Sequence, residues 1–122
     1  MAFLLDSNII IYSYLSEYEY LRAFISDEFC TLSEISRVEV LGYHKLKPDE
    51  DRYFKDVFMY ATIIVPDKDV FDCAIEIRKM YNLKLGDSLI AATALVHDLE
   101  IYSRNLNDFK RVAGLKCVNP IH

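Results

Sequence analysis

Tryptophan is missing from this sequence, and its 122 residues include only three glycines and three prolines. So few breakers leave most of the chain to regular elements and exclude a Pro/Gly-rich disordered or fibrous protein. Cysteine is scarce as well. Cys30, Cys73 and Cys117 are odd in number, widely spaced and contain no Cys-x-x-Cys, which excludes a disulfide framework or zinc knuckle and fits a reducing compartment. Each has an apolar or aromatic neighbour, so all three are expected to be buried structural thiols. No segment approaches the ~20 apolar residues of a membrane span. The opening residues carry no basic stretch and meet a charge at Asp6, so no signal peptide is expected and the expected location is cytoplasmic. Basic residues are in deficit, 14 against 19 acidic, for a net charge of -5. Whole-molecule attraction to nucleic acid is thereby excluded; such a contact has to be local or metal-mediated.

What the chain does hold is apolar residues, 52% of the total, with 27% charged. That composition fits one globular domain over residues 1–122, able to bury roughly two-thirds of its unfolded surface without a metal or disulfide. Phe3-Leu4-Leu5 is a short apolar run that stops at Asp6-Ser7-Asn8, as a buried strand ending in a polar turn does. Helices are expected at 9–15 and 19–26, and a short strand at 29–31. A helix is expected over 33–45, with Leu32, Ile35, Gly42 and Leu46 on one face and Glu39 within that stripe. Pro48 breaks the chain before a helix reaching about residue 60. The β-branched run 62–65 is the clearest strand. Helices over 70–80 and 87–97 and strands over 99–103 and 115–118 complete the pattern. Short apolar strands alternating with helices imply an α/β fold with a mostly parallel sheet of four to five strands. Ligands of such sheets sit beyond the carboxyl ends of the strands.

That rule makes the acidic residues a geometric question. Asp6 follows the first strand directly; it is either a helix N-cap or a strand-end ligand. Glu39 interrupts an apolar face, and a buried carboxylate costs several kcal/mol unless paired or metal-bound; the alternative is a face-edge Glu in water. Asp87 opens an apolar helix beside Gly86, as a cap or as a ligand with room around it. Asn105 and Asp108 follow the strand ending at Tyr102-Ser103, as turn residues or as further oxygen ligands. Like charges gathered on one side repel unless a cation neutralises them. A hard cation such as Mg²⁺ takes oxygen ligands, then substrate phosphates, and activates water for in-line displacement at phosphorus.

Several segments also carry a family resemblance. Leu4-Leu5-Asp6-Ser7-Asn8-Ile9-Ile10-Ile11-Tyr12 resembles the opening motif of PIN-domain proteins, and Ile35 to Tyr43 resembles their central glutamate helix. Leu85-Gly86-Asp87-Ser88-Leu89-Ile90-Ala91-Ala92-Thr93-Ala94 is the most specific match. Ile101 to Phe109, then Gly114-Leu115 and Asn119-Pro120, resemble the closing segment. The resemblance implies a Mg²⁺- or Mn²⁺-dependent endoribonuclease similar to VapC-type toxins of toxin–antitoxin pairs. It implies Asp6, Glu39 and Asp87 as the catalytic, metal-holding carboxylates. Asn105 stands where the family often has a fourth acid; it brings an oxygen without charge, and Asp108 is the candidate to compensate. Ser7 and Ser103 match polar positions that support the site, Asn8 resembles support for the opening turn, and Arg104 is a candidate contact to RNA or a surface ion pair. The resemblance further implies an RNA substrate, a cognate antitoxin, a homodimer and no membrane. His44, His97 and His122 lie outside the matched positions, which disfavours a histidine-based ribonuclease mechanism.

Tyr12, Tyr14, Tyr18 and Tyr20 crowd the first helices, as half-buried packing or as an interface; in the resembled family this region contributes to the antitoxin groove. Lys45, Lys47, Arg52 and Lys55 read as a solvated face or as guides for RNA. A phospho-receiver signalling domain is a rival, with Asp67 as its acceptor, although Asp6 has no adjacent acidic partner. A catalytically silent PIN-like binding module and a nuclease outside any toxin system are others.

Overall fold

Phe3–Leu5 forms β1, and all its side chains are buried, because both faces of the strand are covered. Leu4 enters one apolar cluster while Phe3 and Leu5 enter the other, the two-residue alternation of a strand. A computed structural model describes residues 1–122. Four further strands follow: β2 (Cys30–Ser33), β3 (Thr62–Ile64), β4 (Glu100–Tyr102) and β5 (Cys117–Val118). All pairings are parallel, in the order β3-β2-β1-β4-β5. Leu4 is in register with Thr31 on one side and Ile101 on the other.

The helices cover both faces. α1 (Ser7–Ser13) leads into a 3-10 turn (Ser16–Leu21) and α2 (Arg22–Ile25). α3 (Glu34–Leu41) and α4 (Pro48–Tyr60) connect β2 to β3, with Pro48 at the start of α4, where no N–H is missed. Phe54 and Phe58 of α4 pack with Ile9 and Ile10 of α1. On the other face α5 (Lys68–Tyr81) and α6 (Leu85–His97) pack through Val70, Ala74, Ile77 and the run Leu89–Ala92. α7 (Leu106–Phe109) follows β4, and its Phe109 is fully buried in the same cluster. No helix is long and apolar enough to cross a membrane.

The sheet is therefore α/β and all parallel, as the pattern of short apolar strands implies. β1 leads to β2 and β3 on one side, and β4 and β5 lie on the other. This reversal opens a crevice between the carboxyl ends of β1 and β4. Receiver-type domains use the order 2-1-3-4-5, so the signalling alternative fails on topology. Asp67 is instead the N-cap of α5, accepting from Val70 N at 3.1 Å.

Other expectations are corrected. The helix expected over 33–45 spans only Glu34–Leu41, because Ser33 is its N-cap, accepting from Ile35 N, and Gly42 its C-cap. Leu32 and Leu46 therefore lie off the helix; its buried side chains are Ser36 and Val40, and Glu39 is exposed. The helix expected over 19–26 divides into the 3-10 turn and α2, with Tyr18 outside helical geometry. Only Cys30 is buried; Cys73 and Cys117 are half-buried.

Candidate functional site

Asp6 stands at the carboxyl end of β1, its N–H donating to Tyr102 O of β4 at 2.9 Å. It is the N-cap of α1, with Oδ1 accepting from Ser7 N at 2.8 Å. Its other oxygen, Oδ2, accepts from Ser103 Oγ at 2.8 Å and Asn8 Nδ2 at 3.4 Å. Capping and presentation are therefore not alternatives; one carboxylate oxygen serves each. Ser103 is fully buried after β4. Its Oγ also accepts from Asn8 Nδ2 at 3.3 Å and Asn105 N at 2.9 Å. Asn8 in turn accepts Arg104 N on Oδ1 at 3.2 Å. The turns after β1 and β4 are thus tied together around Asp6.

Glu39 arrives from α3. Ser7 Oγ donates to Glu39 Oε1 at 2.8 Å and is hydrogen-bonded to Ser36 Oγ at 2.9 Å. Ser36 is fully buried and was not singled out in the sequence; a serine one turn before Glu39 on the buried face of an apolar helix was its only signal. Glu39 also lies against the start of α6. A Cβ on Gly86 would stand 3.2 Å from Glu39 Oε2, so glycine is what lets the two elements approach. Asp87 sits within the first turn of α6, half-buried, while Lys84 holds the N-cap position without a side-chain bond. Asp87 is therefore no cap, and its carboxylate remains available.

Asn105 and Asp108 belong to the start of α7, and Asn105 Nδ2 donates to Asp108 Oδ2 at 2.9 Å. The charge of Asp108, like that of Glu39, raises the Asp87 carboxyl, so Asp108 is the candidate fourth acidic side chain. Arg104 forms no ion pair, contrary to one of its two expected roles. Its guanidinium donates to the Tyr12 hydroxyl and lies 5.1 Å from that ring's centroid. The three histidines are exposed.

Electrostatics bind these residues into one group. Burial raises Asp6 from 3.8 to about 6; donation from Ser103 and Ser7 opposes the rise, and repulsion from Asp87 and Glu39 adds to it. Asp87 is raised as well, first by burial and then by Asp108 and Glu39, with Lys84 opposing. No lysine or arginine forms an ion pair with any of the four carboxylates; the five ion pairs all lie on exposed helix surfaces. Two of them hold Arg52 and Lys55 to Asp49 and Asp51. The side chains repel one another, yet no three of them converge on a single point within ligating reach. Oxygen donors that repel one another and have no ion-paired cation are the donor chemistry a hard divalent cation takes.

Comparison with known proteins fits this geometry. The PIN-domain family model matches residues 3–115. A toxin–antitoxin complex from Klebsiella pneumoniae contains a chain with 30% identity and a TM-score of 0.80, covering 98% of each chain. VapBC2 from Rickettsia felis, bound to a DNA fragment from its promoter, gives 21% identity and a TM-score of 0.81, again over 98% of each chain. DNA-bound VapBC from Salmonella typhimurium gives 20%, a TM-score of 0.80 and 97% of each chain; at such identities the likeness is one of fold. No curated protein matches in sequence. With the family model extending over β1 to the end of α7 and beyond, the chain belongs to the PIN-domain family.

Proposed function

We propose that this protein is a divalent-metal-dependent endoribonuclease acting as the toxin of a toxin–antitoxin pair. What carries the reading is that Asp6, at the carboxyl end of β1, Glu39, tied to Ser7 and lying against Gly86, and Asp87, next to Gly86, repel one another with no ion-paired cation. The nuclease domain is read as residues 1–122. Asp6, Glu39 and Asp87 are the residues to hold Mg²⁺ or Mn²⁺, with Asp108 and Asn105 at the side. Such an ion, when bound, supplies the positive charge that activates a water for attack on a phosphodiester. The chain's own part is orientation. Ser103 and Asn8 aim Asp6, Ser7 aims Glu39, and Gly86 keeps Glu39 and the start of α6 in contact. Burial on the sheet keeps Asp6 from swinging into water.

The antitoxin partner is supported by the similar structures, which are toxin–antitoxin complexes. The expected homodimer has apolar surface to use: Phe71 and Ile75, one turn apart on α5, are 48% and 51% exposed. The test is cleavage of a mixed pool of tRNA, rRNA and mRNA fragments by purified, partner-free protein, with Mg²⁺ or Mn²⁺, with EDTA, and with Asp87→Asn in parallel. Discrete cuts that need the metal and vanish in the variant are expected. Absence of both cutting and Mn²⁺ binding overturns the reading and leaves a silent binding module.

A further inference from the structure

Beside the acidic cluster lies a separate concavity of about 500 Å³, lined by Asn8, Ile11, Tyr12, Arg104 and Asn105. Two of its walls are shared with the cluster. Asn8 donates to Asp6 and Ser103, and the Asn105 N–H donates to Ser103. The cavity therefore adjoins the carboxylates, within reach of a ligand bound there.

The remaining walls describe that group. Arg104 holds no carboxylate, although it stands beside the acidic cluster of an acidic protein. Its guanidinium is fixed instead by Tyr12, through a hydrogen bond to the hydroxyl and a position 5.1 Å from the ring centroid. Tyr12 is itself braced edge-to-face by Tyr18, with ring centroids 5.0 Å apart at 73°. A guanidinium so held is a planar, exposed cation on the cavity wall. Ile11, 48% exposed, adds an apolar side. Planar cations and aromatic rings are the surfaces on which unpaired nucleobases stack. A volume of this order also suits a small planar ligand.

We infer that this cavity is the nucleoside subsite adjoining the phosphate at the acidic cluster, where an unpaired base of single-stranded RNA stacks on the Arg104 guanidinium braced by Tyr12. The inference rests on the nuclease reading of the cluster and adds the role of Arg104 and Tyr12 in holding a base beside it. A base inside a duplex is already stacked and paired, so it cannot turn into the cavity; a base in a loop or single strand can.

The test uses the full chain carrying Asp87→Asn, with Mg²⁺ present, so that the probe stays whole. The probes are single-stranded pentaribonucleotides with 2-aminopurine at each position in turn, and matching strands with an abasic residue there. Quenching of 2-aminopurine at one position is expected. Adding Arg104→Met, which keeps the stem and removes the plane, should abolish the quenching and weaken binding about tenfold. Arg104 is exposed, so this change leaves the fold intact. Tyr12→Phe should reduce the quenching, since the brace loses its hydroxyl. Strands abasic at that position should bind equally well with Arg104 or Met at this site. Equal weakening for abasic strands overturns the stacking role, because Arg104 would then contact phosphate alone. No quenching at any position overturns the subsite and leaves the cavity to a protein partner. Quenching without any RNA cleavage by the unsubstituted chain would overturn the nuclease reading while upholding the subsite.

Discussion

Replacing Asp6 by Asn should make the metal-free protein more stable at neutral pH and less stable in acid. Asp6 is 6% exposed and its carboxyl is pushed from 3.8 to about 6. At about 1.4 kcal/mol per unit, holding it ionised in the folded chain costs about 3 kcal/mol. The sign follows from proton binding. Between the unfolded value near 4 and about 6 the folded state keeps a proton that the unfolded state has lost, so stability falls as pH rises through this window and is level above it. Asn removes the charge and keeps an oxygen for the Ser7 N–H, but disturbs the bond from Ser103, at about 1 kcal/mol. The net gain is about 2 kcal/mol at pH 7.5, vanishes near pH 4.5 and becomes a loss of about 1 kcal/mol near pH 3. Urea unfolding in EDTA across that range, followed by circular dichroism, measures the difference. A difference between the two proteins that does not change with pH would refute the reasoning. Mg²⁺ at a hundredfold excess over its dissociation constant should then add about 2.7 kcal/mol to the unsubstituted protein and nothing to Asp6→Asn.

Three further outcomes follow from the same contacts. Ser103→Ala removes the hydroxyl that aims Asp6 and receives Asn8 and Asn105; metal affinity, read by calorimetry with Mn²⁺, should fall by about 10- to 100-fold. Gly86→Ala places a methyl 3.2 Å from Glu39 Oε2, so RNA cleavage should drop severalfold while the free energy of urea unfolding holds within about 1 kcal/mol, the helix gaining what the contact loses. Burial pushes the Cys30 thiol to about 12; in a thiol-labelling time course at pH 8 the half-buried Cys73 and Cys117 should react first and Cys30 only on unfolding.

The sequence made some parts of this protein legible for local reasons. Phe3-Leu4-Leu5 and Thr62-Ile63-Ile64 read as strands because their side chains suit covered faces, and both are strands. Asp6 could be placed at a strand end because the apolar run stops there. For Glu39 the spacing left a buried and a face-edge carboxylate open, and the exposed one is found; the apolar spacing from Leu32 to Leu46 continues past the true helix ends at Ser33 and Gly42. Periodicity carries no information about where a cap interrupts it. Asn105 and Asp108 both drew attention as oxygen donors, and the two are hydrogen-bonded to each other at the start of α7. The short helix α7, unannounced by any long apolar period, sets that contact.

The sequence by itself determined the α/β class, the acidic residues available and their places at element ends, since strand, helix and turn preferences act over a few residues. Tertiary structure alone decided the order β3-β2-β1-β4-β5, which brings Asp6 beside Ser103 across 97 positions of chain. It also decided the contact of Glu39 with Gly86 and the bracing of Arg104 by Tyr12. These are outcomes of how two apolar faces of one sheet are covered. Distant side chains meet there because packing the helices leaves them no other place, and no local pattern records that.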